Sequence, residues 1–232
     1  MRFLALDAAT ENCSVALLSQ GRLSERVAES GKAHAEQLLA MVADVLAESQ
    51  VALSDLDGIA ASIGPGSFTG VRVSVSVAQG LAFGAGLRVV AVSTLEALAL
   101  RALEARTPGA PENAIACLDA RMREVYWGCF AADTARGVIA TTTARVGAPE
   151  LVAVPSSRHT GIGRGFAAYP AMGQLPGIEL PAGADAALPR AREFLRLGAL
   201  RFSRGEFLDP AELQPLYLRD KVADTEAERA AR

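Results

Sequence analysis

Histidine and cysteine, which most metal sites and many nucleophilic sites need, are scarce in this chain of 232 residues. His34 and His159 are far apart and have no neighbouring cluster of carboxylates or thiols, so they make a weak case for a metal site. Cys13, Cys117 and Cys129 are odd in number and widely spaced, which fits neither a disulfide framework nor a metal motif. Cys13 and Cys129 fall in apolar, strand-like runs, which predicts buried thiols.

An excess of one charge and long apolar runs are also lacking. The net charge is −3, so the chain has no general basic excess for gripping nucleic acid. Asp7 interrupts the apolar N-terminus after a few residues, so no signal peptide is predicted. The apolar region GLAFGAGLRVVAV carries Arg88 and three glycines, so no membrane span is predicted. We therefore expect a cytoplasmic protein.

The order of predicted elements indicates a mixed sheet. Strands are predicted at 3–7, 13–19, 22–29, 58–63 and 88–92, and helices at 33–49, 67–84 and 93–105. Val73, Val75 and Val77 alternate as in a strand, but the length of the apolar segment favours the helix at 67–84. An antiparallel meander followed by right-handed crossovers is the topology of a ribonuclease-H-like lobe.

A second lobe is predicted after the linker RTPGAPEN. Strands begin again at 114–120, 124–131 and 138–146, a last helix is predicted at 192–205, and the tail after Tyr217 is expected to fray. The first of these strands ends in Asp119, which is expected to match Asp7 of the first lobe. We predict an α/β chain with one lobe at 1–106 and a more degenerate lobe with a C-terminal tail at 107–232. The segment 155–189 gives no clear assignment, apart from His159 as a loop residue.

Two such lobes resemble the actin-like ATPase superfamily of sugar kinases, actin and the heat-shock ATPases. The stretches GPGSFTGVRVSVSVAQGLA, AHAEQLLAMV, LDARMREVYWGCF and QPLYLRDKVA are similar to those of the bacterial TsaB (YeaZ) family. The similarity runs from Met1 to about Val222 and is weakest at 150–190. It implies a role in forming threonylcarbamoyladenosine at the tRNA adenosine next to the anticodon, together with a catalytic paralogue, TsaD, and an ATPase, TsaE.

Two hairpins hold the phosphates in the actin-like superfamily, and both are altered here. In LDAATENCSVAL, Asp7 and Thr10 are present, but Ala8 and Ala9 stand where glycine is usual. Alanine at positive φ costs about 1 kcal/mol, so another loop shape is expected. The second hairpin, LDARMREVYW, has no glycine, and its bulky arginines can meet phosphate by charge but cannot form a close backbone cradle. We interpret both as vestigial, with four remnant residues: Asp7, Thr10, Asp119 and Arg121.

The glycine-rich turn IGPGSFTGVR has two interpretations. It is either an anion nest at a helix N-terminus, with Ser67 and Thr69 as donors, or a tight connection. In the tight connection, Gly64 and Gly66 supply unusual backbone angles, Pro65 stiffens the turn and Ser67 caps the helix. The sequence favours the tight connection, and a P-loop is excluded because no Lys-Ser/Thr pair follows. The resemblance implies that the turn, with Phe68 and Gly70, belongs to a partner-facing region.

The resemblance also bears on metal binding. The catalytic paralogue holds its metal with two histidines in a pattern like HMEGH, and the corresponding residues here are TLEAL (94–98). Thr94 and Leu98 replace both ligands, and neither side chain can hold the ion. No metal is therefore expected, which argues against a metallopeptidase, and no GxSxG elbow of a serine hydrolase occurs.

Two helices offer more apolar surface than one core needs. In the helix at 33–49, Leu38, Val42 and Val45 suit the core of the lobe, yet further apolar and small residues continue around it. The predicted partner interface consists of Leu39, Ala40, Ala43, Leu46, Ala47, Arg72, Ser76, Gln79 and Phe83. The alternative is that another element of the same chain covers these residues. The resemblance implies that these helices bind TsaD or, when the chain is alone, a second copy.

The sequence thus predicts a non-catalytic activating subunit that binds a TsaD-like enzyme, works with a TsaE-like ATPase and meets tRNA through the complex. No cofactor is expected on this chain alone, and ATP or ADP at the partner interface is left open. Two alternatives remain at this point, a small-molecule kinase of the actin-like superfamily and a metallopeptidase.

Overall fold

The first of two mixed sheets has the topology predicted from the sequence. The computed structural model describes residues 1–29, 34–155 and 157–219. The first sheet contains β1 (Phe3–Asp7), β2 (Asn12–Ser19), β3 (Arg22–Glu29), β4 (Gly58–Ser62) and β5 (Arg88–Val92). Its order is β3-β2-β1-β4-β5, in which β1, β2 and β3 form an antiparallel meander. Strands β4 and β5 continue parallel to β1, as right-handed crossovers require.

The second sheet repeats this plan. It contains β6 (Asn113–Arg121), β7 (Glu124–Asp133), β8 (Gly137–Ala140), β9 (Arg145–Gly147), β10 (His159–Ile162) and β11 (Ile178–Glu179). Its order is β11-β10-β6-β7-β8, with β9 paired to β7. Strands β6, β7 and β8 are antiparallel, and β10 and β11 run parallel to β6. The prediction of two ribonuclease-H-like lobes is therefore confirmed.

Five α-helices accompany the sheets in the described residues, and capping signals mark both ends of the longest one. They are α1 (His34–Glu48), α2 (Phe68–Ala85), α3 (Thr94–Glu104), α4 (Gly165–Ala168) and α5 (Ala191–Ser203). Ser67 caps α2 by accepting from the Gly70 N–H, and Gly86 ends that helix at φ 67°. The buried residues of α2 recur at helical spacing, which explains why its alternating valines do not form a strand: they include Val71, Val75, Ala78 and Ala82.

The core lies in layers on both faces of each sheet. Alternate residues of β1 point to opposite sides, so Leu4 and Leu6 pack under α1 and α2 while Phe3 packs against α5. Helix α3 comes from the first half of the chain but packs on the second sheet, and α5 comes from the second half but packs on the first sheet. These two helices share one apolar cluster that reaches both sheets. The lobe boundary at residue 106 stays a prediction.

Two local assignments from the sequence were wrong. The strand predicted at 138–146 is divided into β8 and β9, because the Thr141 and Thr142 N–H groups both turn to the Cys129 carbonyl, at 2.8 and 3.4 Å. His159 is not a loop residue. It begins β10 and is buried, and its Nδ1 lies 2.8 Å from the Ser157 carbonyl oxygen.

Other predictions concern burial and the ends of the chain. Cys13 and Cys129 are buried, as expected, and Cys117 is buried as well. Within residues 1–29, 34–155 and 157–219, no helix is long and apolar enough to cross a bilayer. The tail that was expected to fray lies outside the described residues from 220 onward.

The contact of α5 with the first sheet gives a paired test. A Cβ added at Gly198 would lie 2.5 Å from the Ala60 Cβ and 3.0 Å from the Phe3 ring, so Gly198→Ala should destabilise the protein by about 1–3 kcal/mol through overpacking. A Cβ at Gly80 of α2 would meet no atom within 4 Å, so Gly80→Ala should stabilise by about 0.5–1 kcal/mol. Urea unfolding measures both changes, and equal effects of the two substitutions would contradict this packing.

Candidate functional site

The residues predicted to bind a partner lie mainly on the outward faces of α1 and α2. Leu38, Val42 and Val45 are buried beneath α1, as its pattern predicted. The exposed fraction is 48% for Leu39 and 82% for Phe83. The other outward residues of α1 are small or half-buried: Ala40, Ala43 and Ala47 are exposed, and Leu46 is half-buried. We call this face of α1 and α2 the helix surface.

Two glycines that sequence reasoning missed extend the helix surface. Gly80 and Gly84 are exposed, and a Cβ at either would meet no atom within 4 Å. With the exposed Ser76 they form a row of small residues four positions apart on α2. Such a row lets the backbone of another helix approach closely. The i, i+4 spacing of Ser76, Gly80 and Gly84 is the sequence signal that indicates them.

Two members of the predicted interface contact the chain's own C-terminal strap, which we define as residues 208–219. The Gln79 side-chain amide donates to the carbonyls of Pro210 and Leu213, at 3.0 and 3.1 Å. Arg72 Nε donates to the Tyr217 hydroxyl at 2.8 Å. Gln79 and Arg72 therefore lie where the helix surface meets the strap, and Ser76 and Phe83 remain open to solvent.

The strap ties the two lobes together. It begins with a bridge between Leu208 and Val89 at the edge of the first sheet. Farther along, the Leu216 N–H donates to the Ile63 carbonyl at 2.7 Å. At its end, Arg219 donates to the Ala120 carbonyl at 3.1 Å and pairs with Glu124 on β7. No local pattern in the sequence revealed that the C-terminal segment spans both lobes.

The two hairpins expected to be vestigial face each other and have a common geometry. The first hairpin, residues 7–12, joins β1 to β2, and the second, residues 119–124, joins β6 to β7. Asp7 Oδ1 accepts from the Ala9 N–H at 3.0 Å, and Asp119 Oδ1 accepts from the Arg121 N–H at 2.8 Å. Asp7 and Asp119 therefore occupy matching positions, as the internal repeat predicted.

The glycine turn packs directly on the first hairpin. A Cβ at Gly66 would lie 2.1 Å from the Ala9 carbonyl oxygen, and one at Gly70 would lie 2.0 Å from that of Ala8. The Ser67 N–H donates to the same Ala9 oxygen at 2.7 Å. Only glycine allows this approach, so the turn and the hairpin form one unit.

The backbone of this turn differs in one respect from the expectation. Gly64 has φ 98° and precedes Pro65 through a cis peptide bond, but Gly66 has no positive φ. Gly66 is required for the close contact with Ala9 and not for an unusual backbone angle. Thr69 and Phe68 are exposed in the first turn of α2. The role of the turn as an anion contact stays a prediction.

The second hairpin carries backbone strain. Arg121, Met122 and Arg123 have φ of 59°, 54° and 61°. A two-residue hairpin loop of this kind is normally built from asparagine and glycine. Side chains in this region cost roughly 1–2 kcal/mol per residue. All three side chains are exposed, so packing in a core does not account for the choice of residues.

A cleft of about 790 Å³ lies between the hairpins, and we call it the interlobe cleft. Its charged lining comprises Glu11, Arg72, Asp119, Arg121, Arg164 and Arg219. Arg164 pairs with Glu11 across the lobes at 3.6 Å, and Arg121 pairs with Asp119 at 3.3 Å. Arg164, Tyr217 and Arg219 were not predicted as site residues, because they approach the cleft only after folding.

An aromatic stack forms one wall of the cleft. The Arg72 guanidinium carbon lies 3.6 Å from the centre of the Phe68 ring and 5.8 Å from that of Tyr217. The two ring centres are 6.3 Å apart. Each ring is more than half exposed, with exposed fractions of 55% and 52%. The wall therefore presents a cation and two aromatic faces to solvent.

Polar groups are buried behind this wall. Thr10 lines the cleft, and its Oγ1 has no hydrogen-bond partner in the described structure. Asp7 is fully buried, and its Oδ2 also lacks a partner there. Burial raises the pKa of Asp7 to about 7, against the opposing effect of the hydrogen bond from the Ala9 N–H.

The region expected to have lost a metal site is part of the core. Thr94 and Leu98 are both fully buried at the start of α3. No group of three or more histidine, cysteine or acidic side chains is placed to hold a metal ion, as far as the described ranges extend. The side chain of His34 lies outside the described residues, although α1 begins there.

Asp7 predicts a specific pH dependence of stability. Its folded pKa of about 7 lies above the ordinary 3.8, so the folded state retains a proton that the unfolded state releases. Its contribution is fully favourable below about pH 4 and is lost as pH rises to about 7. The unfolding free energy of Asp7→Asn, relative to that of wild type, should therefore increase by about 2–4 kcal/mol as pH rises from 4 to 8. This figure follows from about 1.36 kcal/mol for each unit by which the pKa is shifted. Denaturant unfolding at both pH values measures the gain, and a constant difference would contradict it.

Comparison with known proteins places the chain in a family. The family model described as "TsaD: tRNA N6-adenosine threonylcarbamoyltransferase" matches residues 24–159, more than half of the chain. The tRNA threonylcarbamoyladenosine biosynthesis protein TsaB of Escherichia coli is 38% identical over 96% of both chains. Its namesake from Haemophilus influenzae is 36% identical over 96% of this chain and 95% of its own.

A solved structure agrees in fold over nearly the whole length. YeaZ from Pseudomonas aeruginosa is 42% identical, with a TM-score of 0.84 over 94% of this chain and 99% of that one. The match to the two TsaB proteins covers 96% of this chain and therefore extends over both lobes. The chain therefore belongs to the TsaB (YeaZ) family, within the wider group that the TsaD family model describes.

Proposed function

We propose that the chain is a non-catalytic activating subunit in the formation of threonylcarbamoyladenosine in tRNA. It binds a TsaD-like enzyme and supports transfer of the threonylcarbamoyl group to the adenosine next to the anticodon. The names of the full-length relatives from Escherichia coli and Haemophilus influenzae support the process. The match of residues 24–159 to the family model of the transferase supports kinship with the catalytic subunit.

The helix surface is the observation that carries the proposed partner. Phe83 is 82% exposed and Leu39 is 48% exposed on this surface, and apolar side chains grouped on an exposed surface are typical of a protein–protein contact. The backbone of α2 is open at Gly80 and Gly84, so α1 and α2 could pack against two helices of a partner in a four-helix contact. The same surface is proposed to serve a homodimer when the enzyme is absent, because a two-fold dimer pairs one patch with its own copy.

The two hairpins and the buried start of α3 support an accessory role over catalysis. A kinase needs backbone N–H groups free to meet phosphate. Here Gly66 and Gly70 are packed against Ala9 and Ala8, and the second hairpin presents bulky side chains. Thr94 and Leu98 cannot replace metal-binding histidines. The described residues therefore support neither the kinase alternative nor the metallopeptidase alternative.

The rest of the proposed assembly follows from this role. A TsaE-like ATPase supplies nucleotide hydrolysis, and any ATP or ADP near this chain is placed at the boundary with its partner. Buried Cys13, Cys117 and Cys129 suit a reducing compartment, so we place the complex in the cytoplasm, with no membrane attachment.

Omission of this chain from a reconstituted reaction tests the function. Threonine, bicarbonate, ATP and tRNA are mixed with the enzyme that forms the threonylcarbamoyl adduct, TsaD, TsaE and this chain. Modified adenosine, measured by mass spectrometry of digested tRNA, should fall at least about tenfold when the chain is left out. Unchanged product would refute an activating role.

The partner surface is tested by one charge and a matched control. Ala43→Glu places a carboxylate in the middle of the helix surface, where the complex would bury it unpaired. Affinity for the TsaD-like enzyme should fall by about 100-fold or more, while the melting temperature stays unchanged. Ala135→Glu, in an exposed turn of the second lobe, should bind like wild type. An Ala43→Glu chain that still co-purifies with its partner would place the interface elsewhere.

A further inference from the structure

We propose that the interlobe cleft and the second hairpin bind a single-stranded segment of RNA. This inference rests on the proposed function for the source of that RNA, a tRNA. The site consists of an aromatic wall, a set of weakly held arginines and a strained loop. It lies apart from the outward face of α1 and from Phe83.

The aromatic wall offers faces for bases to stack on. Phe68 and Tyr217 are each more than half exposed, and the Arg72 guanidinium lies over the Phe68 ring, 3.6 Å from its centre. Exposed aromatic rings beside a cation are the platforms on which unpaired bases stack, and stacking tolerates any base. Duplex RNA cannot use such a wall because its bases are already stacked on one another.

Three arginines of the cleft, Arg72, Arg121 and Arg164, are available to phosphate. Arg72 contacts aromatic rings and a hydroxyl, and no ion pair of Arg72 occurs among the described residues. The Arg121 side chain is 78% exposed in its 3.3 Å pair with Asp119, and Arg164 is 38% exposed in its pair with Glu11. Exposed ion pairs contribute little to stability, so these arginines can exchange a carboxylate for a phosphate at small cost.

The strained second hairpin is the independent observation. Arg121, Met122 and Arg123 keep positive φ values in a loop that Asn-Gly would form without strain. Strain persists where the side chains serve a function that the local backbone does not favour. Here the strain places the Arg121 guanidinium and the Met122 side chain at the rim of the cleft, and the next residue, Arg123, is exposed to solvent.

A buried hydroxyl adds a point of recognition inside the cleft. Thr10 is 7% exposed, and its Oγ1 lacks a partner. It lines the cleft from the first hairpin, across from the second. A base edge or phosphate oxygen that enters between the lobes would satisfy this group. A free nucleoside triphosphate is a poorer occupant, because Ala8 and Ala9 present carbonyl oxygens to the glycine turn in place of a phosphate cradle.

Stacking is tested by one pair of variants of the full chain. Binding of a short fluorescent single-stranded RNA is followed by anisotropy. Tyr217→Ala should weaken binding about tenfold, because it removes a stacking face. Tyr217→Phe, which keeps the ring, should weaken it less than threefold. Equal affinities for Tyr217→Ala and wild type would overturn the proposal.

Charge is tested by a second pair. Arg121→Asn removes one guanidinium from the rim, at a φ that asparagine tolerates, and should weaken binding about fivefold. It should also reduce the slope of log affinity against log salt by about 0.7, the value for one phosphate contact on a single strand. The control is Arg22→Asn at the exposed start of β3, which lies at the end of the first sheet away from the first hairpin. This variant should bind RNA like wild type. Equal losses for Arg121→Asn and Arg22→Asn would overturn the proposal.

Relieving the strain in the second hairpin should change stability and RNA binding in opposite directions. Replacing Met122 and Arg123 by Asn and Gly should raise the melting temperature, because the strain is relieved, and should weaken RNA binding at least fivefold. A structural role alone would not couple a more stable fold to weaker binding. A more stable variant that binds RNA as tightly as wild type would count against the site.

The competing occupants are separated by the choice of probe. Duplex RNA of equal length should bind at least tenfold more weakly than the single strand, and ATP should not displace the bound strand. Saturable ATP binding that displaces RNA would make the cleft a nucleotide site and overturn the proposal, as would equal affinity for duplex. These measurements need no partner enzyme. RNA binding together with unchanged product in the omission reaction would therefore refute only the activating role. Loss of product in the omission reaction without RNA binding to the cleft would refute only the cleft proposal.

Discussion

One layer of helices between the two sheets fixes the geometry on which every other feature depends. Helix α5 touches the first sheet closely at Gly198, where its backbone meets Ala60 and Phe3, and α3 packs on the second sheet beside it. Because α3 packs on the second sheet and α5 packs on the first, the inner faces of both sheets share one apolar cluster. The layer sets the distance between the lobes, and the interlobe cleft is the space left at its edge.

The hairpins at the mouth of the cleft show how one architecture is adapted to a different task. Asp7 and Asp119 keep matching positions and matching hydrogen bonds. The first hairpin uses its carbonyls to receive the glycine turn, so its backbone faces protein. The second hairpin extends its side chains outward under strain. The strands thus retain the internal repeat, whereas the loops between them differ. Binding residues commonly lie on such loops.

The C-terminal strap connects the helix surface to the cleft. It bonds to Gln79 and Arg72 on α2, and its last described residue, Arg219, pairs with Glu124 beside the second hairpin. A partner seated on α2 would therefore contact the element that also carries Tyr217 into the aromatic wall. The strap and α2 therefore link the surface proposed for the enzyme partner to the cleft proposed for the RNA segment.

The sequence by itself determined the strands of the first sheet, β6 and β7 of the second sheet, the limits of α1, α2 and α3, and the buried face of α1, because periodicity and capping are local properties. It also indicated the family through GPGSFTG and the stretches that accompany it. The split of 138–146 and the strand at His159 escaped it, because pairing with a distant strand outweighs local preference in short strands. Only the tertiary structure brought Arg72, Arg164 and Tyr217 to one cleft, since these residues come from three separate parts of the chain and meet only when the lobes and the strap are packed together.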